Sequence, residues 1–184
     1  MDTDNPFGFF IRPGSTVFLK PNWVVHENAS GKGTECLITQ PSFIIETLKY
    51  VAATQPKKII IGDAPIQRAR FDLIATESFK VEVNTLAKGI PVEIIDFQRD
   101  KWIEAPGIQK SPSAGRDISK YVLFDLGKNS LLEPLSRQSA CQFRNTVYNP
   151  TELERSHCLF HHKYLICREI FESDVMISLP KLKT

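Results

Sequence analysis

Charged and polar side chains follow several short apolar runs of this sequence, at the points where those runs end. These side chains are Lys20 and Asn22 after TVFL, Asp63 after IIIG, Asp96 after VEII, and Lys181 and Lys183 after VMISLP. Carboxylates can coordinate a metal or transfer protons, and lysines can bind a carboxylate or a phosphate. A lysine beside another cation or an apolar wall can also lose its proton and act as a base or nucleophile.

We expect these side chains to form one site if the apolar runs are parallel strands. Lys181 and Asp63 are then the predicted catalytic residues. The predicted substrate-binding residues are Lys20, Asn22, Gln67, Lys183 and Thr184. Two alternatives stay open: Asp63 caps a turn or a helix through its side-chain oxygen, or the strand-end charges are only a solvated rim.

The stretch that must position these residues is KKIIIGDAP at residues 57–65. A short, uninterrupted run of β-branched residues that ends in a turn signal is typical of a strand buried on both faces of a parallel sheet. Ligands of open α/β sheets bind outside the carboxyl ends of the strands. Asp63 would stand at such an end.

The remaining elements alternate in the same way along the chain. Further strands are predicted at residues 16–19, 91–97, 121–126 and 175–179, the first of them ended by Pro21, which has no N–H to donate. Helices are predicted to begin at Pro41 and end before Pro56, to span 69–88 with a break near Ser78, and to span 163–172, with a short helical turn at 130–135. The pattern predicts an α/β protein with a mostly parallel, doubly wound (Rossmann-like) sheet, helices on both faces, and an irregular insertion with loops or a hairpin around 98–120.

A second group of possible ligands lies near residue 160. His157 and His161, and likewise Cys158 and His162, are four residues apart, a spacing that can bind a transition metal on a helix. Polar contacts at the start of a helix are the alternative. A divalent metal is therefore one expected cofactor, with Asp63, His157 and His161 as its weak candidate ligands.

Familiar catalytic motifs are absent from the sequence. Residues 31–34 read GKGT, which lacks the GxxxxGKS/T spacing of a phosphate-binding loop and indicates a flexible loop. No GxSxG, HExxH or GxGxxG motif is present, so the motifs alone leave enzymatic activity undecided.

Composition describes an ordinary globular chain of 184 residues, 42% hydrophobic and 24% charged, which fits one domain. A net charge of +2 gives no reason to expect nucleic acid as a partner. No apolar run is long enough to enter a membrane, so we expect a cytoplasmic protein. The four cysteines form no CxxC pair and indicate neither an iron–sulfur cluster nor a disulfide framework. Nothing in the pattern indicates an oligomeric state.

Three segments together carry a resemblance. FLKPNW at 18–23, IIIGDAPIQ at 59–67 and DVMISLPKLKT at 174–184, in this order and spacing, resemble domain of unknown function family 362. The resemblance spans essentially the whole chain, and it implies that the 184 residues are the N-terminal part of a longer domain, because the last motif continues in the family with a histidine. Bacterial members include proteins encoded near polysaccharide biosynthesis genes, and some relatives carry a ferredoxin-like cluster domain.

These observations favour an enzyme that acts on a small anionic ligand, either a sugar acid or a phosphorylated metabolite. One alternative is a non-catalytic module that binds a metabolite or nucleotide at the same strand ends. Another is a structural or assembly protein of a polysaccharide biosynthesis system, in which the charges are only solvated.

Overall fold

The computed structural model describes residues 5–105, 108–137, 143 and 150–183. The chain forms two compact units: unit 1 comprises Met1–Ile118 and Glu169–Thr184, and unit 2 comprises Ser119–Arg168.

Unit 1 is built on a four-stranded parallel sheet of order β3-β2-β1-β9. Its strands are β1 (Thr16–Pro21), β2 (Lys58–Asp63), β3 (Val92–Asp96) and β9 (Val175–Leu179). Its helices are α1 (Pro41–Ala53), α2 (Phe71–Ile74), α3 (Glu77–Leu86) and α6 (Arg168–Glu172), of which Arg168 belongs to unit 2. An antiparallel hairpin of β4 (Asp100–Ala105) and β5 (Ile108–Ala114) follows β3. The predicted α/β class, the parallel sheet and the insertion around 98–120 are confirmed.

The central strands are buried on both faces, as the isoleucine run predicts. Ile59 and Ile61 pack with α1 and α3 in the main core, whereas Ile60, also buried, points to the other face. On that second face, Phe18 packs edge to face against Phe97, with ring centres 5.7 Å apart. The sheet therefore has apolar cover on each side, and its polar groups are concentrated at the strand ends.

Unit 2 contains an antiparallel sheet of order β6-β8-β7. Its strands are β6 (Tyr121–Asp125), β7 (His157–Cys158) and β8 (His161–Cys167), and its helices are α4 (Glu133–Ser136) and α5 (Pro150–Ser156). The predicted strand at 121–126 therefore exists, but its partner is β8 rather than a parallel strand.

Two predicted elements differ in the structure. The predicted helix at 163–172 is wrong for its first half, because β6 supplies a pairing partner along Lys163–Cys167, and the last five residues are helical. β1 continues through Pro21, because Pro21 lies opposite Leu179 of β9 after the β2 ladder has ended at Leu19. The predicted break in the second helix is confirmed and lies at Ala75 and Thr76, where the Thr76 hydroxyl caps α3.

Gly62 precedes Asp63 at a point where no side chain fits. A Cβ atom there would lie 2.5 Å from the Phe97 ring and 2.7 Å from the Ile95 carbonyl oxygen. We predict that Gly62→Ala lowers the free energy of unfolding by about 1–3 kcal/mol, the usual effect of overpacking. Urea denaturation followed by tryptophan fluorescence measures this, since both tryptophans, Trp23 and Trp102, belong to unit 1.

Gly8→Ala is the matched control, because a Cβ atom at Gly8 would have 3.3 Å to its nearest neighbour. Equal stability of the two variants would contradict close packing around Gly62.

Candidate functional site

The carboxyl ends of the four parallel strands lie at one level of the sheet. Asp63 of β2 lies opposite Asp96 of β3, and Pro21 of β1 lies opposite Leu179 of β9. The residues that follow these positions therefore leave the sheet from one edge. We call this the carboxyl edge, and the sequence-predicted site residues of unit 1 all occur in β1, in β2 or in the segments that follow the strands.

Asp63 joins two neighbouring segments at the carboxyl edge. Its Oδ1 accepts from the Lys20 ammonium at 2.8 Å, and its Oδ2 accepts from the Trp23 backbone N–H at 2.7 Å. The Asp63 side chain is 13% exposed and that of Lys20 is 41% exposed. The carboxylate therefore holds the segment after β1 against the end of β2 and keeps the Lys20 ammonium accessible to solvent.

Asn22 is fixed by a residue that the sequence did not single out as a site residue. Its backbone N–H donates to the Thr39 hydroxyl at 2.8 Å, and that hydroxyl donates to the Leu179 carbonyl oxygen at 2.6 Å. The Asn22 side-chain amide donates to the Leu37 carbonyl oxygen at 3.0 Å. Thr39 thus joins the segments that follow β1 and β9, although only its place before Pro41, as a possible cap, was visible in the sequence.

Gln98 organises the opposite end of the carboxyl edge. Its backbone N–H donates to Asp96 at 3.0 Å, and its buried side-chain amide donates to the Ile66 carbonyl oxygen at 2.6 Å. The Asp96 carboxylate also pairs with Lys101 at 2.6 Å. Gln98 therefore fixes the loop that contains Gln67, a positioning role that its polar surroundings in the sequence did not indicate.

The C-terminal lysines follow β9. Lys181 is partly buried and Lys183 is exposed, and neither forms an ion pair with any residue in the described part of the chain. Thr184, the other predicted binding residue there, lies outside the described residues. The carboxyl edge thus has two acid–lysine pairs, Asp63 with Lys20 and Asp96 with Lys101, and two further lysines.

The first prediction at this edge concerns Asp63. Asp63→Ala removes the acceptor of the buried Trp23 N–H, so we expect a loss of about 1–3 kcal/mol in the free energy of unfolding. Asp63→Asn should cost less, because the amide oxygen can still accept from Trp23. Urea denaturation with fluorescence detection ranks the variants.

Asp72→Ala is the control, since Asp72 makes an exposed ion pair with Arg70, and exposed ion pairs contribute little to stability. If Asp63→Ala is no more destabilising than Asp72→Ala, the hydrogen bond to Trp23 does not hold this segment.

The second prediction concerns Thr39. Thr39→Val keeps the shape of the side chain but leaves the Asn22 N–H and the Leu179 carbonyl without their partner, so it should destabilise unit 1 by about 1–3 kcal/mol. Thr47→Val is the matched control, because the Thr47 hydroxyl only donates to the Phe43 carbonyl within α1. Similar denaturation midpoints for the two variants would show that Thr39 does not join the two segments.

Histidines of unit 2 are arranged differently from the helical pairs that the spacing suggested. His157 and Cys158 form β7, and the chain turns through Leu159 and Phe160 into β8. The i,i+4 pairs are therefore not formed, because the segment is a hairpin in which His157 lies opposite His162, and Cys158 opposite His161. Opposed residues share a side of a hairpin, so His157 and His161 point to opposite sides.

Two carboxylates accompany the β8 histidines. Asp125 accepts from the His162 backbone N–H and contacts the exposed His161 ring, both at 2.8 Å. Glu133 is buried, accepts from the Phe160 N–H at 3.0 Å and lies 3.2 Å from Nε2 of the fully buried His162.

These contacts shift three pKa values. The hydrogen bond from His161, followed by the backbone N–H groups of His162 and Gly127, lowers the pKa of Asp125 to about 2. Burial raises the pKa of Glu133, but hydrogen bonds from Phe160, His162 and Arg137 outweigh it, so the net shift is downward. Burial, with a smaller contribution from the neighbouring His162, lowers the pKa of His157. Glu133 is therefore a carboxylate and His157 a neutral imidazole at neutral pH.

Three of the four cysteines belong to the described residues. Cys36 and Cys158 are free thiols and Cys167 is buried, while Cys141 lies outside the described part. In the described ranges, no cluster of three or more His, Cys, Asp or Glu side chains is arranged to hold a metal. No helix there has the length and apolar character needed to cross a membrane.

Fold and site together define an α/β protein with a parallel sheet. Several lysines lie at the carboxyl edge of this sheet, and two of them form ion pairs with aspartates. The family model described as domain of unknown function (DUF362) matches residues 17–124, more than half of the chain, and the chain belongs to this family. The match covers β1 to β3 with Lys20, Asn22, Asp63 and Gln67, and it ends before Glu133, the hairpin histidines and Lys181. Comparison with curated proteins and with solved structures gave no significant match.

Proposed function

We propose that this DUF362 protein binds a small anionic ligand at its carboxyl edge and acts on it as an enzyme. The ligand class is a sugar acid or a phosphorylated metabolite. Lys20, Lys181 and Lys183 supply the positive charge, and Asn22, Gln67 and Thr184 supply further polar contacts.

One observation carries this proposal: the Asp63 carboxylate fixes Lys20 at the carboxyl edge while the Lys20 side chain is still 41% exposed. A partly exposed lysine held by a carboxylate keeps its position without a ligand, so little conformational entropy is lost when an anion binds. Asp63 would then serve catalysis by orienting Lys20.

The charge at the edge supports an anion rather than a cation as the ligand. Asp63 and Asp96 are each neutralised by a lysine, and Lys181 and Lys183 add positive charge without an ion-pair partner in the described part of the chain. Lys181 lies two residues after Leu179, the end of β9. Trp23 likewise lies two residues after Pro21, the end of the neighbouring strand β1. Lys20 in β1 and the segment with Lys181 after the adjacent strand β9 would then bind one small molecule together.

The finer assignments are also proposals. Lys181 is the proposed base or nucleophile, because it is partly buried and forms no ion pair with a described residue. A role in polysaccharide biosynthesis rests on the family resemblance, and a cytoplasmic location rests on the lack of a long apolar run in the sequence. Both accord with a sugar-acid or sugar-phosphate ligand.

Thermal unfolding with glucuronate, glucose 1-phosphate and inorganic phosphate tests ligand binding. A ligand at a hundred times its dissociation constant adds about 2.7 kcal/mol, which for a chain of this size raises the melting temperature by about 5–10 °C. We predict this shift with at least one probe for the wild type and a shift below about 2 °C for Lys181→Ala.

Lys49→Ala is the matched control, because Lys49 is an exposed lysine of α1 in the same unit, paired only with Glu46. It should retain the full shift. An equal shift in Lys181→Ala and Lys49→Ala would contradict the assignment of Lys181, and no shift with any probe would contradict anion binding.

A non-catalytic binding module is the second candidate, favoured by the fact that both oxygens of Asp63 already have partners. Such a carboxylate can fix a lysine, and it has fewer lone pairs free to accept a substrate proton. Product analysis after incubation with the stabilising probe separates the two functions: conversion that is lost in Lys181→Ala indicates the enzyme, and saturable binding without conversion indicates the module.

A further inference from the structure

Two imidazole nitrogens of unit 2 are buried without a hydrogen-bond partner among the described residues. They are Nδ1 of His157 and Nδ1 of His162. The two residues lie directly opposite each other in β7 and β8, and their ring centres are 5.7 Å apart. Both rings therefore lie on the same side of the hairpin.

The contact with Glu133 fixes which nitrogen of His162 carries the proton. Nε2 lies 3.2 Å from the buried Glu133 carboxylate, which can only accept, and 3.4 Å from the Ser136 hydroxyl, so Nε2 is the nitrogen that donates to Glu133. Nδ1 is the nitrogen that remains to bind a ligand. A histidine that donates one ring N–H to a carboxylate and directs the other nitrogen away is the arrangement found at metal centres, where the carboxylate orients the ring and raises its basicity.

We propose that Nδ1 of His157 and Nδ1 of His162 bind a divalent transition metal of the Zn²⁺ class. Ring centres 5.7 Å apart are close enough for one metal to bind both rings with Zn–N bonds of about 2.1 Å. Imidazole nitrogen is a preferred ligand of zinc, copper and nickel.

The proposed site has two protein ligands from the described residues and open positions besides. No third His, Cys, Asp or Glu among the described residues is arranged to complete a metal site, so water or an added ligand fills the other positions. His161 and Cys158 are excluded, since they lie on the opposite side of the hairpin, and His161 is engaged with Asp125.

Ring packing does not supply a hydrogen-bond partner for Nδ1 of His157 or Nδ1 of His162. Phe143 contacts both rings edge to face, with centres 5.8 Å from His157 and 6.3 Å from His162, and Tyr164 contacts His157 in the same way. These contacts position the rings, yet they leave both Nδ1 lone pairs buried without a donor. Polar atoms in that situation usually have a water, an ion or a ligand as partner.

Equilibrium dialysis of the 184-residue chain against Zn²⁺ at neutral pH, with metal analysis, tests the site. We expect one Zn²⁺ per chain in the wild type. Titration with Co²⁺ should give visible absorption bands of a four-coordinate, nitrogen-ligated ion. His157→Gln should weaken Zn²⁺ binding at least tenfold, and Glu133→Gln should weaken it about 10–100-fold through loss of the carboxylate that orients His162.

His161→Gln is the matched control, because it removes a neighbouring histidine from the other side of the same hairpin and should leave Zn²⁺ affinity unchanged. His157 is only partly buried, so His157→Gln is expected to fold even if His162→Gln does not. Circular dichroism checks whether each variant is folded. Absence of stoichiometric Zn²⁺ in the wild type would overturn the site. So would unchanged affinity in folded His157→Gln, or loss of binding in His161→Gln.

Discussion

The carboxylate of Asp63 is the interaction on which the arrangement of unit 1 depends. It stands where β2 ends, and its two oxygens accept from Lys20 of the neighbouring strand and from the Trp23 N–H just beyond it. A buried N–H needs an acceptor, and a buried carboxylate needs a positive partner. Asp63 satisfies both requirements with one side chain, so the chain after β1 has a fixed path.

Thr39 and Gln98 extend the same principle along the carboxyl edge. Thr39 links the backbone after β1 to the last carbonyl of β9, and Gln98 links the end of β3 to the loop that follows β2. Each is buried and each uses its polar group to join two segments that are distant in sequence. Buried hydrogen bonds therefore fix the backbone of the edge, while the Lys20 side chain stays partly exposed.

The sequence predicts this edge only in part. Three consecutive isoleucines indicate β2, and the turn signal after them indicates that Asp63 lies at the end of this strand. Both predictions are possible because each depends only on neighbouring residues. The partner of Asp63 could not be predicted, since it depends on which strand lies beside β2. Thr39 contacts Leu179 across 140 residues, a distance over which no local pattern extends. The helix prediction for residues 163–167 was wrong for the same reason. Leu165 and Ile166 fit a helical pattern locally, but in the structure they pair with β6.

The order of strands has a consequence for how the chain folds. β1 is paired on one side by β2, which follows soon after it, and on the other by β9, with Asp174 capping the Thr16 N–H across 158 residues. During synthesis β1, β2 and β3 emerge early, whereas all of unit 2 is made before β9 exists. One edge of β1 stays unpaired throughout that interval, and an open edge is a template for strands of other chains. During folding, pairing of β1 with β9 of the same chain therefore competes kinetically with pairing of β1 with a strand of another chain.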